Sequence, residues 1–222
     1  MQYYRVVTDE TIALDHGRPV MGRPPIPYDD MVDIPLPSPD QPGEWTPPLK
    51  YPVQVGYHGY HLVPQSRLVH WLYAEAIYEA EGRGESDICP TLAAYQQIRL
   101  LRRMPWSQRT ACQFGLNCAR QVLLLDGGGN YDYGRLLYML RAAERYLNGS
   151  DSRQEVIEAL GIYDAPVPAW SPGYVPQAVE MACMAVVRYS PRLVDEAAQL
   201  ARHVLGEPEA QRQTEELAGL MV

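Results

Sequence analysis

The chain is poor in lysine and phenylalanine, with one of each in 222 residues. Its other permanent cations are 18 arginines, and the net charge is −8. The charge is evenly spread. Cut after Met104, the first part carries 9 basic and 13 acidic residues and the second 10 and 14, so each is −4. Proteins that grip phosphate backbones concentrate lysine and arginine on one face or stripe. No such stripe exists here, which argues against direct nucleic-acid binding and leaves a basic protein surface as a suitable partner. Cysteine is also scarce. Cys89, Cys112, Cys118 and Cys183 contain no C-x-x-C pair, so neither a disulfide framework nor a thiol zinc site is expected, and the four read as reduced, mostly buried side chains. No apolar run approaches 18 residues and MQYYRVVTDE lacks signal-peptide character, so a cytoplasmic protein without a membrane span is expected.

What is present supports a real core. Apolar residues make up 46% of the chain, enough to exclude general disorder. Tyrosine is abundant, with 16 copies. Its apolar ring and polar tip suit core edges and interfaces.

The pattern divides near residue 104. YYRVV, residues 3–7, reads as a strand. Residues 17–52 hold 11 prolines, which forbid a regular helix or a central strand and predict an ordered extended wrap, with a disordered linker as the alternative. MVDIPLP and Trp45 would anchor it. Residues 53–57 and 60–63 look extended. PQSRLVHWLY, residues 64–73, reads as a short helix with Leu68, Val69 and Leu72 on one face and Ser66 as a cap. A strand is expected at 76–81, ending in a turn at Gly82-Arg83-Gly84, and another at 92–104 before Pro105, with helix as the alternative for both.

Beyond Trp106 the period becomes helical. Ala111, Gly115, Cys118, Val122 and Leu125 form one apolar face. Leu136, Leu140, Ala143 and Leu147 form a second; Val175, Val179, Ala182 and Val186 a third; Leu193, Ala197, Leu200 and Val204 a fourth. Gly127-Gly128-Gly129 should end the first helix. Ser152 with Glu155 resembles a capping box, and Gly161 should close that helix. Ser190-Pro191 and Glu207-Pro208 place proline in first turns. The expected fold is α+β: an α+β domain over 1–104 including the Pro-rich segment 17–52, then a helical domain over 105–222 of about six antiparallel helices. The small residues on the faces imply close helix packing.

Chemical signals are sparse. In GYHGYHLVPQSRLVHWL, residues 56–72, His58 and His61 would face opposite sides of a strand, and a metal needs three or four convergent ligands. His61 is therefore expected to be structural, with no metal. Glu75, Glu79, Glu81, Glu85 and Asp87 form an acidic run whose spacing fixes no carboxylate pair about a substrate. GGGNYDYG, residues 127–134, lacks the Lys-Ser/Thr ending of a phosphate loop.

YHGYHLVPQSRLVHWL, IYEAEGRGE and IRLLRRMPWSQRTACQFGLNCARQVL resemble a set of uncharacterised proteins of phages and GC-rich bacteria over about residues 50–125. EAQRQTEELAGLM resembles their helical tails with a Gln-x-x-x-Leu pattern. CARQVLLL through LRAAERYLNG is similar to helical immunity proteins, although APVPAWSPGY, residues 165–174, is an insertion relative to them. The resemblance implies a two-part fold. A second likeness is to ADP-ribosyltransferase-type folds, which present an Arg or His on a first strand, an aromatic-rich second strand and a late Glu. It implies NAD as cofactor, Arg5 holding it, Tyr57 or Tyr60 stacking on nicotinamide, His61 nearby, and Glu81 or Glu85 positioning the acceptor.

The leading expectation is a non-enzymatic protein of phage, mobile-element or defence/immunity type that binds another protein and blocks or stabilises it, with no cofactor. The expected contacts are Trp45, the acidic edge with Glu79, Glu81 and Glu85, and a loop with Tyr163, Trp170 and Tyr174, since exposed Tyr, Trp and Arg dominate binding hot spots. The alternatives are the NAD-using transferase, with Arg5, His61, Glu81 and Glu85 catalytic, and a structural subunit of an assembly.

Overall fold

The computed structural model describes residues 2–7, 34–72, 76–125, 132–161 and 173–220. The chain divides into two compact units, the first ending at Trp106 and the second running from Ser107 to Leu220. The fold is α+β: four antiparallel strands precede six α-helices among the described residues.

In the first unit the strands are β1 (Tyr3–Val7), β2 (Tyr60–Pro64), β3 (Ala76–Ile88) and β4 (Ala93–Arg103). They close into a barrel in the order β1-β2-β4-β3. Tyr60, Leu62, Tyr78, Ala80, Ile98 and Leu100 fill it, with Tyr3, Ile34, Leu49, Ala76 and Tyr95 packed half-buried against them. Closure needs strands that bend. The β3–β4 ladder shifts register between Glu79 and Ala80 and again between Arg83 and Ser86, and such bulges increase local twist. The turn expected at Gly82-Arg83-Gly84 is therefore not a turn: β3 runs through it for 13 residues. Gly84 takes φ +80°, which only glycine adopts readily. Gly82 lies under the ring of Tyr95, where a Cβ would stand 2.1 Å from Cγ.

Two further expectations change. Residues 53–57 are not an extended run; Gln54 and His58 bridge across a tight turn. The segment expected as a helix over 64–73 is a 3-10 helix at Gln65–His70, with Pro64 before it in extended conformation and no side-chain cap. Ser66 is exposed within it and caps nothing. Leu68, Val69 and Leu72 are buried as expected.

The second unit contains α1 (Gln108–Leu125), α2 (Tyr133–Leu147), α3 (Arg153–Leu160), α4 (Tyr174–Arg188), α5 (Pro191–Leu205) and α6 (Glu207–Leu220). The caps follow the residues that favour them. Ser152 and Glu155 form a reciprocal capping box, Gly161 closes α3 in the left-handed conformation, and Ser190 caps α5 ahead of Pro191. α1 ends at Leu125, and Gly127-Gly128-Gly129 lies outside the described residues. α1 and α4 are buried around most of their circumference rather than on one face, which makes them the central helices of the array. Leu125, assigned to the buried face, is exposed. The face of α5 is also rotated from expectation. Val194, Ala197, Ala198 and Ala201 are buried, whereas Leu193, Leu200 and Val204 flank the contact half-buried. Small residues let helix axes approach. Gly115 of α1 meets Val194 so closely that a Cβ there would stand 3.4 Å from its Cγ1.

The four cysteines are free thiols. Burial raises the Cys112 pKa to about 11 and pushes Cys118 and Cys183 higher still. Cys89 moves the other way, lowered chiefly by a hydrogen bond with the Thr91 hydroxyl.

Candidate partner-binding surface of the barrel

β2 pairs with β4 only at Ala93–Tyr95. Farther along β4, a strap made of the described part of the Pro-rich segment supplies the missing partners. Gly43 N–H donates to Leu100 O (2.8 Å), Thr46 N–H to Ile98 O (2.9 Å) and Leu49 N–H to Gln96 O (3.1 Å). The donors recur every third residue, the repeat of a polyproline helix. The acceptors recur every second residue, the repeat of a strand. Pro47 and Pro48 fall between the donors and have no N–H to leave unsatisfied. Thr46, fully buried, doubles the join: its hydroxyl accepts from Ile98 N–H (2.9 Å) and its carbonyl from the Gln97 amide (2.6 Å). Of the wrap expected over 17–52, residues 34–52 run without helix or strand and form this strap, and residues 17–33 lie outside the described residues.

Trp45 projects from this strap over two guanidinium groups, Arg83 at 4.1 Å and Arg99 at 4.9 Å from the ring centroid. It is half-buried, and its ring is engaged by its own chain. Trp45→Ala is expected to weaken strap docking by about 1–2 kcal/mol, the sum of two such stacks. Hydrogen exchange at the Gly43 and Thr46 amides checks this, because exchange should quicken there and stay unchanged in α1 and α4.

The acidic edge is a mixed-charge ladder. Glu79 binds Arg102 (2.7 Å) and accepts from the Gln2 amide (2.9 Å), and Glu81 pairs with Arg99 across the strands. Asp87 accepts the Val55 N–H (2.8 Å), which ties the 54–58 turn to β3. Glu85 is exposed at the bulge. Glu75 lies outside the described residues.

Of the transferase pattern, Arg5 and His61 meet, and the two glutamates lie farther along β3. Arg5 lies opposite Tyr78 on β3 and donates to the His61 carbonyl (2.9 Å). Glu81 is roughly 10 Å and Glu85 roughly 23 Å of strand beyond Tyr78, at about 3.3 Å per residue. His61 is buried, and its Nε2 accepts the Gly56 N–H (3.1 Å), which pins the turn to β2. Tyr60 is buried too, its hydroxyl donating to Pro47 O (3.1 Å). Among the described residues no three His, Cys, Asp or Glu side chains converge as metal ligands would.

Sequence reasoning treated the turn as a junction and missed its aromatic tip. Gly56 and Gly59 take φ +85° and +140°, and Gly59 has no room for a Cβ, which would fall 2.8 Å from that of Ala94. These glycines throw Tyr57 and His58 outward. Tyr51 lies against the His58 ring, centroids 6.1 Å apart. Tyr51 and Tyr57 are 64% and 66% exposed. The available signal was the G-Y-H-G spacing, two turn glycines around two aromatic side chains. In the second unit Tyr174 is exposed and packs edge-on to His203 at 4.5 Å. Tyr163 and Trp170 lie outside the described residues.

The fold is thus a small strapped barrel followed in sequence by a helical array. No protein-family model matches this sequence, and neither a curated protein nor a solved structure matches it. No helix among the described residues is long and apolar enough to cross a membrane.

Proposed function

We propose that the chain is a non-enzymatic binding protein that recognises another protein through the aromatic end of its barrel and blocks or stabilises it. The observation that carries this reading is a set of exposed aromatic side chains: Tyr57 and His58 on a turn held by His61 and Asp87, and Tyr51 beside it against the His58 ring. Rigid aromatic anchors give contact area with little side-chain entropy to lose, and tyrosine is enriched among hot spots. The paired arginines and glutamates of β3 and β4 would form a polar rim of the kind interfaces carry. Glu85, and Tyr174 on the helical unit, remain available as further contacts. We place this role in a bacterial, cytoplasmic setting, that of a phage, a mobile element or a defence or immunity pair, on the sequence resemblance alone.

The test is affinity capture of the tagged full chain from host lysate, followed by titration of the captured protein. Tyr51→Ala with Tyr57→Ala should weaken its affinity by about 30-fold or more, as loss of a hot spot of at least 2 kcal/mol does, with the melting temperature unchanged. Full affinity in the double variant would remove the barrel end from the interface.

A further inference from the structure

We infer that α6 is a detachable helix, latched onto α1 and α5 by a polar network and hinged at Gly206, and that its release uncovers the Cys118 thiol. Glu209, Gln213 and Leu217 are the buried residues of α6, with Ala210, Ala218 and Leu220 half-buried, so Leu217 is the one large apolar side chain fully buried there. Beside it runs a polar network. Arg212 binds Glu209 through Nε and Nη2 (2.7 Å each) and Glu216 through Nη1 (2.5 Å). Glu216 accepts from Asn117 of α1 (2.5 Å). Gln213 donates to Ala198 O of α5 (3.2 Å) and to Glu209 (2.8 Å), and accepts from Arg202 of α5.

Such a latch differs in kind from the α1–α4–α5 core. Buried ion pairs gain little over full solvation, because desolvation offsets most of their attraction, and little apolar area holds the helix beside them. Elements of this composition open locally while the core stays closed. The hinge is explicit: Gly206 has φ 72° and ψ −153°, a region open essentially to glycine alone. Beneath α6, Cys118 is fully buried, with Arg212 Nη2 3.7 Å from its sulfur. Cys112 and Cys183 are buried on α1 and α4, and Cys112 donates to Ala185 O of α4 (3.4 Å). Opening of α6 therefore exposes one thiol of the three, whereas unfolding of the unit exposes all.

The experiment is alkylation of the native full chain with iodoacetamide, read cysteine by cysteine by peptide mass spectrometry. Cys118 should react at least about tenfold faster than Cys112 and Cys183. Its rate relative to Cys183 should rise about tenfold or more in Arg212→Ala, which leaves Glu209 without its cation. In the wild type below the unfolding transition, the Cys118 rate should climb less steeply with urea than the Cys112 and Cys183 rates, because opening α6 exposes less surface than unfolding the unit. That urea series decides the matter by itself if the variant does not fold. Equal rates for the three buried thiols, or one common urea slope, would overturn the inference.

Discussion

Gly82→Ala is expected to lower the stability of the barrel by about 2–3 kcal/mol, near the upper end for overpacked sites. A methyl group at this position would stand 2.1 Å from Cγ and 2.4 Å from both Cδ atoms of the Tyr95 ring. Ring or strand must therefore move. The ring is not free to do so, because it packs on the barrel core and meets Tyr3 edge-on at 5.9 Å. Burial and the bond with Tyr3 also raise the Tyr95 pKa to about 12, so the site holds the neutral phenol. The mechanism makes a sharper prediction than the magnitude alone. In a Tyr95→Ala background the added methyl has space, and the penalty for Gly82→Ala should shrink to about 1 kcal/mol or less, a coupling typical of residues in contact. Hydrogen exchange at Ile98 and Leu100 in the four proteins of this cycle measures it. Equal penalties in both backgrounds would show that the Tyr95 ring is not what excludes a side chain at Gly82.

Phe114→Ala should cost about 3–5 kcal/mol in the helical unit, the range for deleting a fully buried ring. Phe114 is the only phenylalanine of the chain and is fully buried in α1, the helix that packs against α2, α4, α5 and α6. Domains have about 5–15 kcal/mol in total, so this one change should remove a large share of the margin. Leu125→Ala is the internal control. Leu125 belongs to the same helix but is 65% exposed, and exposed substitutions usually stay within about 0.5 kcal/mol. Urea denaturation followed by hydrogen exchange in residues 107–220 separates the two. A Phe114→Ala loss below about 1 kcal/mol would mean that neighbouring helices collapse into the space.

These two sites differ in how readable they were. That residues 108–125 form a helix follows from spacing, but four-and-three periodicity finds one apolar face, and α1 is buried on most of its surface. Leu125 completed the pattern and is exposed; Phe114 lay outside it and is fully buried. A helix end near a glycine run leaves the array, and no local signal marks where that happens. The α5 face shows the same limit. Leu193, Leu200 and Val204 are the larger side chains, so hydropathy chose them, whereas close approach selects Ala197, Ala198 and Ala201. The candidate surface was half readable. The glycines and aromatics of residues 56–61 were visible, but which aromatic turned outward depended on positive φ at Gly56 and Gly59 and on the bonds made by His61 and Asp87.

The amino-acid sequence by itself determined the division into a β-rich first part and a helical second part, the strand near 3–7, the caps at Ser152 and Gly161, and the proline in the first turn of α5. Each of these depends on side chains within a few residues, through proline geometry, capping bonds or hydrophobic period. Only the tertiary structure decided that the four strands close on themselves, that Gly82 lies beneath Tyr95, and that Trp45 stacks on Arg83 and Arg99. It alone paired Asn117 with Glu216, 99 residues apart. The charges and rings that make these contacts had many possible partners along the chain, and the choice among them falls to long-range packing, which no local pattern encodes.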